Sequence, residues 1–521
     1  MNIRSPGLCT RTGFVVHLLS LIVLSLIAFL RPAQALAGDD AGFKSIFNGK
    51  DLTGWDGNPK LWSVKDGAIT GQTTADNPTQ GNTFLIWRDG TVDDFELRCS
   101  YRIVPNNNAG FANSGIQYRS KVVDPKNWVV GGYQADMEAG QTYSGILYEE
   151  RGRGILAQRG QKTVITADEG DPNKHKVQVV GSVGKSEEIQ AAIKKEDWNE
   201  YEIIVRANHL IHKINGVVTV DVTDEHSQKR AASGVLALQL HAGQPMTVQF
   251  KDLRIKRLKL AGAKKIVMVA GTPSHGPKEH EFNAGVLLLK KCLYAVPGVL
   301  ATAYLNGWPK DATAFDNADT VLLYMDGGGG HPLIQGRRLA EIGSLMKRGV
   351  GLACVHYAVE IPKEKGGPEL LEWIGGYYER PYSINPHWTA EFKSLPDHPI
   401  ARGVKPFTIA DEWYYNMRFP SDMKGVKPIL VATPPENTRN EAARQFPGRA
   451  EVVAWATERS DGGRGFGFTG AHMHVNWGND NFRKLVLNAL LWTAKAEVPS
   501  EGVQSSLQAE ELMANLDPKG K

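Results

Sequence analysis

Residues 209–222, His-Leu-Ile-His-Lys-Ile-Asn-Gly-Val-Val-Thr-Val-Asp-Val, decide how the first half of this chain folds. Two β-rich runs flank Asn215-Gly216, a dipeptide that supplies the positive-φ pair of a tight hairpin. The same period-two rhythm recurs on both sides, in Phe95–Val104, Ser114–Arg119, Tyr201–Val205, Val235–His241 and Met246–Ile255. Short strands with little amphipathic helix from Phe43 to about Leu258 imply a β-sandwich or jelly roll.

The rhythm changes after a Lys/Arg-rich stretch ending at Ala263. Lys265–Ala270, Val299–Tyr304, Thr320–Met325, Val350–Val355 and Gly465–Thr469 read as apolar strands. Ala284–Tyr294, Gly336–Lys347 and Asn481–Ala494 have helical spacing. Strands alternating with helices predict a parallel sheet covered on both faces. A length of 521 residues fits two or three domains at roughly 100–200 residues each. The expected units are 43–258, 264–495 and a polar tail, 496–521, with one short helical stretch, Gln508–Leu516, lying on the surface.

Residues 1–37 read as a signal peptide. Arg4 and Arg11 precede an apolar run from Phe14 to Leu30, and Ala35-Leu36-Ala37 is a small-x-small cleavage pattern. The expectation is an exported protein, periplasmic or extracellular, with no membrane span once the signal is removed. Three of the arginines behind the formal charge of +4 lie in this segment, which holds no acid. No basic stripe remains for nucleic acid, so that class is excluded. Cys99, Cys292 and Cys354 sit within apolar strands or helices and are expected as buried free thiols.

Alternation sorts the polar side chains of the first half by face. Gln117 and Arg119 fall together, as do Gln134, Asp136 and Glu138, and Gln239 and His241. Planar, multidentate groups of this kind suit sugar hydroxyls. In Tyr148-Glu-Glu-Arg-Gly-Arg-Gly154 only one of Glu149 and Glu150 can share that face, and a surface ion-pair cluster involving Arg153 is an equal reading. Several pieces in order resemble the 3-keto-disaccharide hydrolase domain family: Asn48-Gly-Lys-Asp-Leu-Thr-Gly-Trp55, Asn113-Ser-Gly-Ile-Gln-Tyr-Arg119, Tyr133-Gln-Ala-Asp136, Tyr148–Gly154 and Gln239-Leu-His-Ala-Gly243. The resemblance spans about 43–257. It implies a concanavalin-like jelly roll acting on glycosides oxidised at C3, with a small-molecule sugar as partner.

Ligands of open parallel sheets bind beyond the carboxyl ends of the strands. Four polar clusters fall there: Thr272-Pro-Ser-His-Gly-Pro-Lys-Glu-His280, Asp326 with Gly327–Gly330 and His331, His356-Tyr-Ala-Val-Glu360, and Thr469-Gly-Ala-His-Met-His474. They hold six of the 14 histidines, the residue suited both to proton transfer and to metal ligation. A divalent metal ion as cofactor is left open. His275, His280 and His474 are its candidate ligands, with Asp326, Glu360 or Glu412 to complete the set, but no HExxH-like spacing occurs. Cys354 invites comparison with a nucleophile elbow, yet it lies inside the apolar strand and His356 takes the turn. His275-Gly-Pro-Lys-Glu-His280, Asp326–Pro332, Cys354-Val-His-Tyr-Ala358, Asp411-Glu-Trp-Tyr414 and Gly470-Ala-His-Met-His474 resemble the trehalose-utilisation ThuA-like family. That match, about 264–495, implies a class I glutamine amidotransferase-like (flavodoxin-like) fold without its cysteine nucleophile.

A ketone at C3 acidifies the C2 proton, and the C1 oxygen can then leave from the β position. Such a site needs a base, a donor to the enolate oxygen and an acid for the leaving group. His241 is the base candidate in the first half, Arg119 the enolate donor, and Glu138 or Glu150 the acid. Gln117, Asp136, Arg153 and Gln239 are candidate substrate-binding groups. In the second half His356 or His331 is a base candidate, with Asp326 catalytic and His331 and Glu412 around substrate. The rival expectation makes the jelly roll a non-catalytic carbohydrate-binding module serving the second half.

Overall fold

The Asn215-Gly216 turn closes the hairpin as its sequence predicts. Asn215 and Gly216 have φ of 51° and 81°, and His209–Ile214 pairs antiparallel with Val217–Asp224. The structure, a computed structural model, describes Met1 and residues 41–519. The expected signal segment thus lies, Met1 aside, outside the described residues. No helix among the described residues is long and apolar enough to cross a membrane.

The hairpin belongs to a ten-stranded sheet whose centre is Asn199–Arg206, Phe95–Pro105 and Met246–Arg257. A seven-stranded sheet faces it, in the order Gly154–Ala157, Leu147–Glu150, Val129–Glu138, Asn113–Asp124, Val235–Leu240, Thr83–Trp87, Trp55–Asp56. Their inner faces supply one core, including Leu97, Tyr101, Ile203, Val248, Ile116, Tyr118, Ala135 and Leu238. Burial of each large apolar side chain contributes roughly 1.5–3 kcal/mol. Strict alternation in Phe95–Pro105 and Asn199–Arg206 sends every second side chain inward.

The second half is built on a seven-stranded sheet. Val299–Tyr304, Lys264–Ala270, Thr320–Tyr324, Gly351–Val355 and Arg464–Phe468 run parallel in that spatial order, as the apolar runs predict. Two further strands, Glu451–Glu458 and Val426–Ala432, extend it antiparallel, so the sheet is mixed. Phe282–Leu293 and Asp480–Thr493 pack on one face, Arg338–Met346 and Lys363–Ile374 on the other. The hairpin of His387–Phe392 and Phe407–Glu412 lies apart from the main sheet. The tail differs from the expected surface appendage: Val498 and Val503 are buried, and Asp517 accepts from Asn283 at the start of a helix.

A buried charge cluster joins the two halves. Arg257, at the end of a sandwich strand, pairs with Asp311 at 2.8 Å, and Lys265, in the first strand of the second half, pairs with Asp93. All four are buried. Removing one member of such a set strands a charge, at a cost of about 3–5 kcal/mol.

Candidate functional site

The outer face of the seven-stranded sheet carries a cavity of about 440 Å³. Its register explains the lining. Gln134 stands opposite Tyr148 across one strand pair and opposite Gln117 across the next, while Gln239 pairs with Phe84. Gly115, opposite Asp136, leaves room: an added Cβ would meet the Gln134 side chain at 2.4 Å. Asn82, Asn113, Gln134, Asp136, Tyr148, Glu150, Gln239 and His241 converge there, rimmed by Phe111, whose ring meets that of His241 edge-on at 5.7 Å.

The two carboxyl groups in this groove are held by amides. Asn113 donates to Asp136 at 3.1 Å, and burial pushes Asp136 well above the ordinary carboxylate range. Gln239 donates to Glu150 at 3.3 Å and Asn82 at 3.4 Å; burial again raises the carboxyl, with Asn82 opposing. Half-buried His241 shares the same cavity. A neutral acid, a second raised carboxyl and an imidazole in one groove can move protons at near-neutral pH.

Several expected groove residues are elsewhere. Arg119 has φ of 48° beside a register shift, which turns it from the face of Gln117 toward Asp94, at 2.6 Å, and the carbonyl of Asp93. It cannot reach the groove as an enolate donor. Gln117 is fully buried beneath it, donating to Gln134 at 2.7 Å. The Glu138 carboxylate accepts the backbone N–H of Thr142 and of Tyr143, so it closes a turn and lines a different cavity. Arg153 is no sugar contact: it pairs with Glu149 and with Asp224, both at 2.7 Å, inside the protein. Glu149 and Glu150 do point apart, as adjacent strand residues must. Tyr148 and Asn113 went unassigned, because a lone aromatic or amide on a strand carries no signal of what faces it.

In the second half, the carboxyl ends of four parallel strands bring His280, Asp326, His356 and His472 together. His280 Nε2 lies 2.9 Å from His472 Nδ1 and 3.0 Å from His356 Nε2. Glu412, from the separate hairpin, reaches His472 at 3.2 Å and His356 at 3.5 Å. Its neighbour Asp411 points the other way and accepts the backbone N–H groups of Ala471, His472 and Met473. That anchor, with Ala471 at φ of 86°, turns His472 inward. His280 is buried and its Nδ1 faces Asp326 at 3.3 Å, while the ring of His275 stacks on it at 3.6 Å. Burial, together with the adjacent imidazoles, holds His280 neutral.

Two expected members are absent from this cluster. His474 is turned away and its Nε2 meets the carbonyl of Leu512 at 2.7 Å, so the member of that pair that faces the cluster is His472. His331 is fully buried; it accepts from the N–H of Leu333 and faces the carbonyl of Ala358, capping a short helical turn. Burial lowers it to about 4, and with both ring nitrogens occupied it has no side open to a substrate. Cys354 is buried within its strand, which raises its thiol, and the strained turn position belongs to His356 at φ of 56°. Cys99 and Cys292 are likewise buried and free.

Residues 42–256 match the family model of the 3-keto-alpha-glucoside-1,2-lyase-like domain, and residues 310–493 match the trehalose utilisation (ThuA) model. The two matches fall one in each half, so each half is similar to one of these families over the residues matched. A crystal structure from Parabacteroides distasonis ATCC 8503, provisionally named a glycosyl hydrolase, is 16% identical over 42% of this chain and 99% of its own, with a TM-score of 0.27. A ThuA-like protein from Parabacteroides merdae ATCC 43184 is 17% identical over 48% of this chain and 99% of its own, at 0.33. The carbohydrate binding module of a Bacillus subtilis protein is 13% identical over 39% and 95%, at 0.25. No curated protein matches the chain.

Proposed function

We propose that this chain is an exported carbohydrate-active enzyme that cleaves the glycosidic bond of sugars oxidised to a ketone at C3. The observation that carries the reading is the sandwich groove, where His241, Glu150 and Asp136 share one cavity. The name of the matching family model, a 1,2-lyase on 3-keto-glucosides, agrees with it.

In this reading His241 removes the C2 proton. The electron pair moves toward the C3 ketone, whose oxygen gains negative charge and takes a hydrogen bond from protonated Asp136. A buried, neutral carboxylic acid is a strong donor to such an oxygen, and this role replaces the one expected of Arg119. Collapse of the enolate breaks the C1–O bond, and Glu150, also raised by burial, gives its proton to the leaving oxygen. Water then adds across the C1–C2 double bond. The sum is hydrolysis without an oxocarbenium ion. Gln134, Gln239 and Asn113 supply amide donors and acceptors for the sugar hydroxyls.

The test is NMR of the full protein with a 3-keto-glucoside in D₂O. Deuterium at C2 of the released 3-keto sugar is the expected result. Release without C2 deuterium defeats the elimination step, and sugar binding without any release leaves the jelly roll as a binding module. Export is tested separately, by sequencing the N-terminus of protein recovered outside the cytoplasm, which is expected to begin at Gly38.

A further inference from the structure

We infer that His280, His356, His472 and Glu412 form a binding site for one divalent transition-metal ion, with zinc as the type species. The argument rests on where the imidazole protons must be. His356 Nδ1 lies 2.8 Å from the carbonyl oxygen of Thr469, which can only accept, so Nδ1 carries the proton and Nε2 a lone pair. The hydroxyl of Tyr414 lies 3.3 Å from Nε2. His280 Nδ1 faces the carboxylate of Asp326, which likewise fixes its proton there and leaves Nε2 bare. The two bare nitrogens then approach to 3.0 Å.

Two lone pairs at that distance repel, and an anion makes the contact worse: Glu412 lies 3.5 Å from the same His356 nitrogen. No choice of tautomer at His472 relieves the His280–His356 contact, because both outer nitrogens are already committed. A cation between them does relieve it. The four inner contacts, 2.9, 3.0, 3.2 and 3.5 Å, close a ring of ligand atoms that all lie within 4.8 Å of one another, a spacing that lets one ion contact all four. Outer partners that orient ligating histidines are the usual support of such a site. Here they are Thr469 and Asp326, the latter braced by the hydroxyl of Ser274 at 2.8 Å.

The donor set selects the metal class. Three imidazoles and one carboxylate suit zinc, iron, nickel or copper, and not calcium or magnesium, which prefer all-oxygen shells. Access is from the side of His275 and Asp326, whose side chains are 38% and 31% exposed. The site does not depend on the groove chemistry proposed above, since it lies in the other half of the protein.

The experiment uses the full chain, stripped with chelator and titrated with cobalt(II) and then zinc(II). One saturable equivalent per chain is expected, with visible ligand-field absorption from cobalt that zinc displaces, and a higher melting temperature with metal. His356→Ala and Glu412→Gln each abolish stoichiometric uptake, the second being near-isosteric should the first misfold. Asp326→Asn weakens binding by about 10–100-fold, whereas His474→Gln keeps the full equivalent. Absence of saturable uptake by the wild type, leaving only a proton to bridge His280 and His356, overturns the proposal. So does undiminished uptake by folded Glu412→Gln.

Discussion

The sandwich groove and the histidine cluster use the same residue types, imidazoles and carboxyls, and arrange them in opposite ways. In the groove, burial raises Asp136 and Glu150, and the amides of Asn113, Asn82 and Gln239 only partly oppose it. In the cluster, Glu412 meets two histidines, while the imidazole nitrogens crowd one another at 2.9–3.0 Å. The surroundings decide the chemistry. A carboxyl raised by burial is an acid, and a carboxylate among imidazoles is a ligand.

The comparison breaks first if the chemistry is in the wrong half. His241→Ala is expected to slow cleavage of a 3-keto-glucoside by about 10²–10⁴-fold, whereas His356→Ala leaves the affinity of the groove for the sugar unchanged, read by calorimetry. Arg153→Met separates the groove from the charges beneath it. It strands Asp224 and costs about 3–5 kcal/mol in urea unfolding, with sugar affinity retained.

A smaller effect tests the protonated state of Asp136. Folding raises its pKa above the ordinary 3.8, so the folded protein binds the proton more tightly than the unfolded chain. Its contribution to stability is present at low pH and lost as pH rises above that value toward the folded pKa. Asp136→Asn is expected to flatten the fall of the urea midpoint with pH in that window. The smallest effect belongs to His474→Gln, which loses the contact with Leu512 and about 0.5–1.5 kcal/mol.

How much of each site was legible depended on the backbone carrying it. Regular strands fix side-chain direction by period two, so Asp136, Glu150 and Gln239 fall on one face in the sequence as they do in the groove. The rule failed at Arg119, where a left-handed backbone at a register shift reverses the face, and at Glu138, where the carboxylate turned to close the next turn. In the second half the apolar strands placed four loops at one end of the sheet. Which of His472 and His474 points inward depended on Asp411, some sixty residues earlier, holding three backbone N–H groups. His331 looked like a member of the set by position and is a cap by contact.

The sequence by itself determined the two rhythms, the sandwich and the α/β sheet, the families they resemble, and the ends of the strands where polar residues gather. These depend on period, turn chemistry and apolar runs, all local in the chain. Only the tertiary structure decided which charged groups are spent on one another. Arg119 with Asp94, Arg153 with Asp224, and Glu412 with His356 and His472 are pairings across 25, 71, 56 and 60 positions. The protonation of a buried group follows from its neighbours in space, and those neighbours are set by the packing of distant segments.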